Sequence, residues 1–216
     1  PGIDRPAICG SLPTKTGQCY ILDLGANVEC DANHLYQFSI LGSALVQSLE
    51  INAKPVIGLL NVGSEEFKGN DTIKNAGQLM QESKLNYAGF VEGDEMFNGS
   101  FDVIVSDGFA GNIALKSIEG VAKLISHFIK TEFSKSIFTK LAALISYPVM
   151  RAVKNKVDPR KYNGASLLGL QGVVVKSHGG ADSYAFSQAI NTAYYEVKNG
   201  ILDKIESLVH SGGSDA

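Results

Sequence analysis

Three short polar loops that carry glycine stand directly after apolar runs: Asp23-Leu24-Gly25-Ala26-Asn27, Asn61-Val62-Gly63-Ser64-Glu65-Glu66 and Asp107-Gly108-Phe109-Ala110-Gly111-Asn112. In open α/β sheets, ligands bind outside the carboxyl ends of strands. There glycine lets the main chain come close, and helix N-termini present free N–H groups to anions. Taken singly, such glycines do no more than turn the chain. Three in series predict one anion site lined by Gly25, Asn27, Asn61, Gly108, Gly111 and Asn112. Lysines fall at matching places: Lys68 in the second loop, Lys116 one helical turn beyond Asn112, and Lys176 at the end of an apolar run before Ser177-His178-Gly179-Gly180. Each is elsewhere an ordinary solvated residue. His178 suits proton transfer or donation to an oxyanion, since an unperturbed imidazole titrates near neutrality. His34, His127 and His210 have no partner spacing and receive no role.

Other chemistries lose support. The sequence has no G-x-x-x-x-G-K-[ST] loop, no G-x-G-x-x-G after a strand, no G-x-S-x-G elbow and no H-E-x-x-H pair. Cys9, Cys19 and Cys30 form no C-x-x-C pair, so neither a disulfide framework nor zinc is suggested and a reducing cytoplasm fits. No cofactor and no metal is called for. At 44% hydrophobic and 19% charged residues, the 216-residue chain has the composition of a globular domain. Its net charge of −3 conceals an asymmetry: seven basic residues and one acid lie between Phe133 and Lys161, which leaves the remainder distinctly acidic. That distribution argues against nucleic acid as a partner.

The loops need a scaffold, and the alternation of apolar runs with 3.6-periodic segments predicts an α/β domain on a largely parallel sheet. Strands are expected at Pro6–Leu12 and Gln18–Leu24, joined by a turn at Lys15-Thr16-Gly17. Others are expected at Val56–Leu60, Tyr87–Val91, Phe101–Val105, Ala165–Leu170 and Val173–Lys176. Asp31 caps a helix with Leu35, Phe38, Leu41, Leu45 and Leu49 on one face; Asp71 starts the next. A third carries Ile118, Val121, Ala122, Ile125 and Ile129, and Asp182 opens a last one interrupted near Gly200.

The basic stretch, 133–161, reads as an inserted amphipathic helical hairpin. Ile137, Phe138, Leu141, Leu144 and Ile145 fall on one face, and Val149, Met150, Val153 and Val157 on another, with the tip placed at Ser146-Tyr147-Pro148 because proline is disfavoured inside a helix. Such a piece fits an anionic lipid surface, an acidic protein or a dimer interface. Ile137, Leu141, Leu144, Ile145, Val149, Arg151 and Lys154 are its expected contact residues.

Gly2-Ile3-Asp4-Arg5-Pro6, Leu22-Asp23-Leu24-Gly25-Ala26-Asn27, Leu60-Asn61-Val62-Gly63, Val105-Ser106-Asp107-Gly108-Phe109-Ala110-Gly111-Asn112 with Lys116, and Tyr162-Asn163-Gly164-Ala165 through Lys176-Ser177-His178-Gly179 together resemble the phosphate acyltransferases of bacterial phospholipid synthesis. The Gly111-Asn112 to Lys116 pattern is also similar to one in phosphate acetyltransferases. The resemblance implies that residues 1–216 are the C-terminal part of a single acyltransferase domain. It implies a three-layer α/β/α sandwich akin to the isocitrate and isopropylmalate dehydrogenases, with a protruding helical hairpin. It further implies a cytoplasmic homodimer, peripherally associated with the membrane, that converts acyl carrier protein thioesters and inorganic phosphate into acyl phosphate for a membrane glycerol-3-phosphate acyltransferase. A non-catalytic fragment that binds lipid or carrier protein is the alternative. A nicotinamide oxidoreductase, suggested by the related fold, lacks the glycine fingerprint.

For that reaction, phosphate is itself the nucleophile, and positioning matters more than a covalent residue. The expected catalytic set is Asn27, Asp107, Asn112, Lys116 and His178. Gly25, Asn61, Lys68, Gly108, Gly111, Asn163 and Lys176 are the expected substrate ligands.

Overall fold

A computed structural model describes residues 2–212. The strands are β1 (Ala7–Pro13), β2 (Gln18–Leu22), β3 (Ile57–Leu60), β4 (Tyr87–Val91), β5 (Val103–Val105), β6 (Ala165–Leu168) and β7 (Val175–Lys176). The helices are α1 (Ala32–Ser48), α2 (Asp71–Glu82), α3 (Gly108–Ser134), α4 (Ile137–Lys156), α5 (Ser183–Lys198) and α6 (Ile201–Gly212). All seven strands join one sheet in the order β4-β3-β5-β2-β1-β6-β7.

The sheet is mixed, which corrects the expectation of a largely parallel one. β4, β3, β5 and β2 run parallel, whereas β1 is antiparallel to both β2 and β6, and β7 is antiparallel to β6. The short turn at Lys15-Thr16-Gly17 compels this, because strands so closely joined have no room for a crossover. In the parallel half, Val103, Ile104 and Val105 are all fully buried. Successive strand residues point to opposite faces, so both faces of β5 are covered; hence the unbroken apolar run.

Helix α1 is the centre of the core. It packs on α2, α6, β5 and β2, and Leu35, Phe38, Leu41, Ala44 and Leu45 have essentially no exposure. Asp31 caps it as expected, its carboxylate accepting the His34 N–H at 2.8 Å. A Cβ on Gly42 would stand 2.5 Å from Val103 Cγ1, so glycine sets the closeness of α1 to the sheet. Helix α2 starts at Asp71 as expected, capped by Asn70, which accepts the Ile73 N–H at 2.9 Å. Gly200, at φ +63°, breaks the last helix into α5 and α6.

The described residues divide into two compact units, Ile113–Pro159 forming the second and the segments on either side of it the first. Within the second unit, α4 runs unbroken through Pro148, and the turn between the helices is at Lys135-Ser136. The break between the two helices therefore falls before Ser146-Tyr147-Pro148, where the proline had suggested it. Ser136 and Thr139 form a capping box that fixes the start of α4, and a single proline removes only one hydrogen bond from the helix it interrupts. No residue of α4 is buried, and the helix puts Ile137, Leu141, Leu144, Ile145 and Val149 on one continuous stripe instead of two separate faces.

Glu196 of α5 is 1% exposed and receives the Ser166 hydroxyl of β6. Burial holds its pKa above the usual glutamic acid value, against the lowering effect of that hydrogen bond. The folded state thus binds the proton more tightly than the unfolded one. The stability this carboxyl contributes is present below the ordinary glutamic acid value and is lost as pH rises towards the raised one. Glu196→Gln is expected to raise the thermal midpoint by roughly 2–4 °C at pH 8 and to leave it unchanged near pH 4, measured by circular dichroism.

Candidate functional site

The three glycine loops follow β2, β3 and β5, which are adjacent and parallel. The topology thus brings Gly25, Asn27, Asn61, Lys68, Asp107, Gly108, Gly111 and Asn112 to one edge of the sheet. What occupies that edge is chiefly a network of internal hydrogen bonds.

Asp23, fully buried, is its hub. Oδ1 accepts the N–H groups of Ile8 at 2.9 Å, Gly25 at 3.2 Å and Ala26 at 3.1 Å; Oδ2 accepts from Asn27 N at 2.6 Å and Asn27 Nδ2 at 3.0 Å. Asn27 Nδ2 also donates to the Pro6 carbonyl at 2.8 Å. Both amide hydrogens of Asn27 are therefore engaged in holding the loop.

Helix α3 begins on top of this loop. Gly108 N donates to the Asn27 carbonyl at 2.7 Å, Asp107 Oδ1 accepts from Ala110 N at 2.7 Å, and Gly111 N donates to the Asp107 carbonyl at 3.0 Å. A Cβ on Gly111 would lie 2.0 Å from the Asp23 carbonyl oxygen, and one on Gly108 would lie 2.7 Å from that of Asn27. These glycines let helix and loop touch main chain to main chain. Asn112 is exposed, its side chain over Gly25. Lys116 belongs to the second unit and pairs with Glu119 at 3.1 Å. In the β3 loop, Asn61 donates to the Lys68 carbonyl at 3.2 Å and accepts from Val62 N at 2.9 Å, while the Lys68 ammonium sits 5.6 Å from the Phe67 ring centroid.

Asn163, Lys176 and His178 are elsewhere. β6 runs in the same sense as β2, because both are antiparallel to β1, and Ala165 pairs with Lys176. Val175 is level with Leu22 across β6 and β1, but the chain leaves β7, and enters β6, on the side away from Gly25 and Asn112, with β1 and β6 in between. Asn163 ties this second cluster together. Its Nδ2 donates to Ser177 Oγ at 2.9 Å and to the Ala185 carbonyl at 2.7 Å, and its Oδ1 accepts the His178 N–H at 2.9 Å. Two residues outside the expected catalytic and ligand sets now stand out: Asp23, as the organiser of the first edge, and Ser177, as part of the second cluster. Asp23 had a signal, an acid at the very end of an apolar run, next to several free N–H groups.

A family model described as fatty acid synthesis protein matches residues 1–204. The chain belongs to the fatty acid synthesis protein family. It is 55% identical, over 98% of its length, to a phosphate acyltransferase of Alkalilimnicola ehrlichii, and 52% identical, over 97%, to one of Legionella pneumophila strain Corby. It spans 62% of each of those proteins. Among solved structures it is similar in fold to a branched-chain phosphotransacylase from Enterococcus faecalis, with a TM-score of 0.58, 12% identity and coverage of 90% of this chain and 66% of that one. A phosphotransacetylase from Staphylococcus aureus gives a TM-score of 0.55 at 17% identity, covering 90% and 56%.

Within this family member the close passage at Gly111 is testable. Gly111→Ala drives a Cβ into backbone that cannot rotate away, and is expected to cost about 1–3 kcal/mol in urea unfolding. Gly120→Ala, where nothing lies within 4 Å, is expected to be neutral or stabilising by up to about 1 kcal/mol.

Proposed function

We propose that the protein is a phosphate acyltransferase, which moves a fatty acyl group from acyl carrier protein to inorganic phosphate. The observation that carries this reading is the similarity to phosphate acyltransferases along almost the entire chain. A phosphate oxygen attacks the thioester carbonyl, a tetrahedral oxyanion forms, and its collapse expels the carrier thiolate and leaves acyl phosphate.

The chemistry of the cysteines favours this direct route over an acyl-cysteine. Cys30 lies beside the first loop, its thiol 3.6 Å from the Asn27 carbonyl. Burial, then the Asp107 and Asp23 carboxylates, push it up to about 11. Burial likewise raises Cys19 to about 12 and Cys9 well above the ordinary thiol value. All three stay protonated near neutral pH and are poor nucleophiles there.

At the β2–β5 edge, the reading gives Asn112 the part of oxyanion donor. Asp107 and Asn27 hold it in place through the helix start and the loop, and the glycines keep the main chain close. The whole protein is taken to be a homodimer with a three-layer α/β/α core.

Membrane contact is proposed for α4. Its exposed stripe of Ile137, Leu141, Leu144, Ile145 and Val149, with Lys140, Arg151 and Lys154 alongside, has the composition of a helix that lies in a lipid interface. None of the described helices is long and apolar enough to cross a bilayer. A position at the surface suits delivery of acyl phosphate to a membrane glycerol-3-phosphate acyltransferase.

Phosphate-dependent thiol release from acyl carrier protein thioesters by the full-length protein tests the activity; no release with phosphate present would end this reading. Asn112→Ala is expected to lower kcat roughly 10²-fold, whereas Cys30→Ser is expected to leave it within about twofold. Sedimentation with phosphatidylglycerol-containing vesicles is expected to be lost in a Leu144→Glu/Ile145→Glu variant and weakened by salt.

A further inference from the structure

The cluster around Asn163 has donors to spare. Gly164, at φ +112°, brings the chain so close to α5 that a Cβ there would stand 2.9 Å from Ala189 Cα. From this position Asn163 fixes the segment after β7 by three hydrogen bonds. Gly180 N donates to His178 Nδ1 at 3.1 Å, so in the neutral ring the hydrogen resides on Nε2. Ser177 Oγ accepts from Asn163, which leaves its own hydrogen to be donated. Lys176 and His178 are exposed on either side of half-buried Ser177. Among the described residues, neither the Lys176 ammonium nor His178 Nε2 has an acceptor.

The local charge is equally one-sided. From Arg160 to Ala181 there are three basic residues, Arg160, Lys161 and Lys176, and no Asp or Glu. The next acid, Asp182, is occupied in accepting from Ala185 N at 2.8 Å and Arg160 Nη1 at 3.1 Å. An edge strand that ends in an exposed lysine, followed by hydroxyl and imidazole donors held by Asn163 and Gly180, without a carboxylate to answer them, is built for an oxyanion.

We infer that Lys176, Ser177 and His178 form a binding site for a phosphoryl oxyanion, set apart from the β2–β5 edge and serving the acyl transfer proposed above. Two sources share that chemistry in the reaction: inorganic phosphate itself, and the phosphodiester through which a carrier's pantetheine arm is attached. Asn163 is its positioning residue, since it reaches the anion through Ser177 and the His178 main chain.

The test uses the full-length protein and its Lys176→Ala and His178→Gln variants, both changes being on the surface and compatible with folding. Calorimetric titrations with inorganic phosphate, phosphopantetheine and pantetheine separate the sources. A loss of about tenfold or more in phosphate affinity assigns the site to inorganic phosphate. The same loss for phosphopantetheine, with pantetheine unaffected, assigns it to the carrier arm. All three titrations unchanged within about twofold in both variants would overturn the inference. Because these titrations need no turnover, an enzyme that binds phosphate but fails to transfer acyl groups would refute the activity while leaving this site standing.

Discussion

A carboxylate withdrawn from water must be met by donors, and the response to that demand at Asp23 shapes one whole end of the molecule. Five hydrogen bonds converge on it, from the β1 main chain, from three consecutive residues of the following loop and from the Asn27 amide. The loop so fixed offers the Asn27 carbonyl to Gly108 N, and helix α3 starts where that bond places it. The two Asn27 donors, left without their acceptor, would be buried polar groups, each typically worth about 1–3 kcal/mol. Strand pairing, loop conformation and helix origin therefore stand or fall together.

Seen from the sheet, the polar side chains sort into two kinds. Along the carboxyl ends of β2, β3 and β5 they mostly answer one another: Asn61 closes its own loop, Asn27 serves Asp23, and Asp107 caps α3. Beyond β7 they answer Asn163 on one side and remain open on the other. The first compact unit thus separates a closed hydrogen-bond network from a cluster with free donors, with the antiparallel strands β1 and β6 between them.

Much of this was legible in the residues. The apolar face of α1, its Asp31 cap, the interruption at Gly200 and most strands follow from periodicity and capping alone, because these are local signals. The placement of the glycine loops on adjacent strands was legible too. What was not legible depended on pairing between distant segments. Lys176 and His178 look like one more strand end with a polar loop, and only the antiparallel pairing of β6 with β1 and of β7 with β6 turns the chain so that it leaves β7 in the sense opposite to β2. Likewise nothing local reveals that Asn27 has both amide hydrogens in use. Pro148 misled in the opposite direction: a strong local signal was overruled by the capping box at Ser136, which had already fixed where α4 begins.

The pairing of β1 with β6 has a consequence for synthesis. Asn199 donates to the carbonyl of Ser48, and Lys204 to that of Gln47, across 151 and 157 residues of chain. While translation proceeds, β1 has β2 for company on one side and a bare edge on the other, and α1 lacks the partner that closes its C-terminal end. The polypeptide must make the entire Ile113–Pro159 unit before those gaps are filled. Until β6 has been made, nascent chains accordingly carry an open strand edge, the kind of surface that chaperones shield.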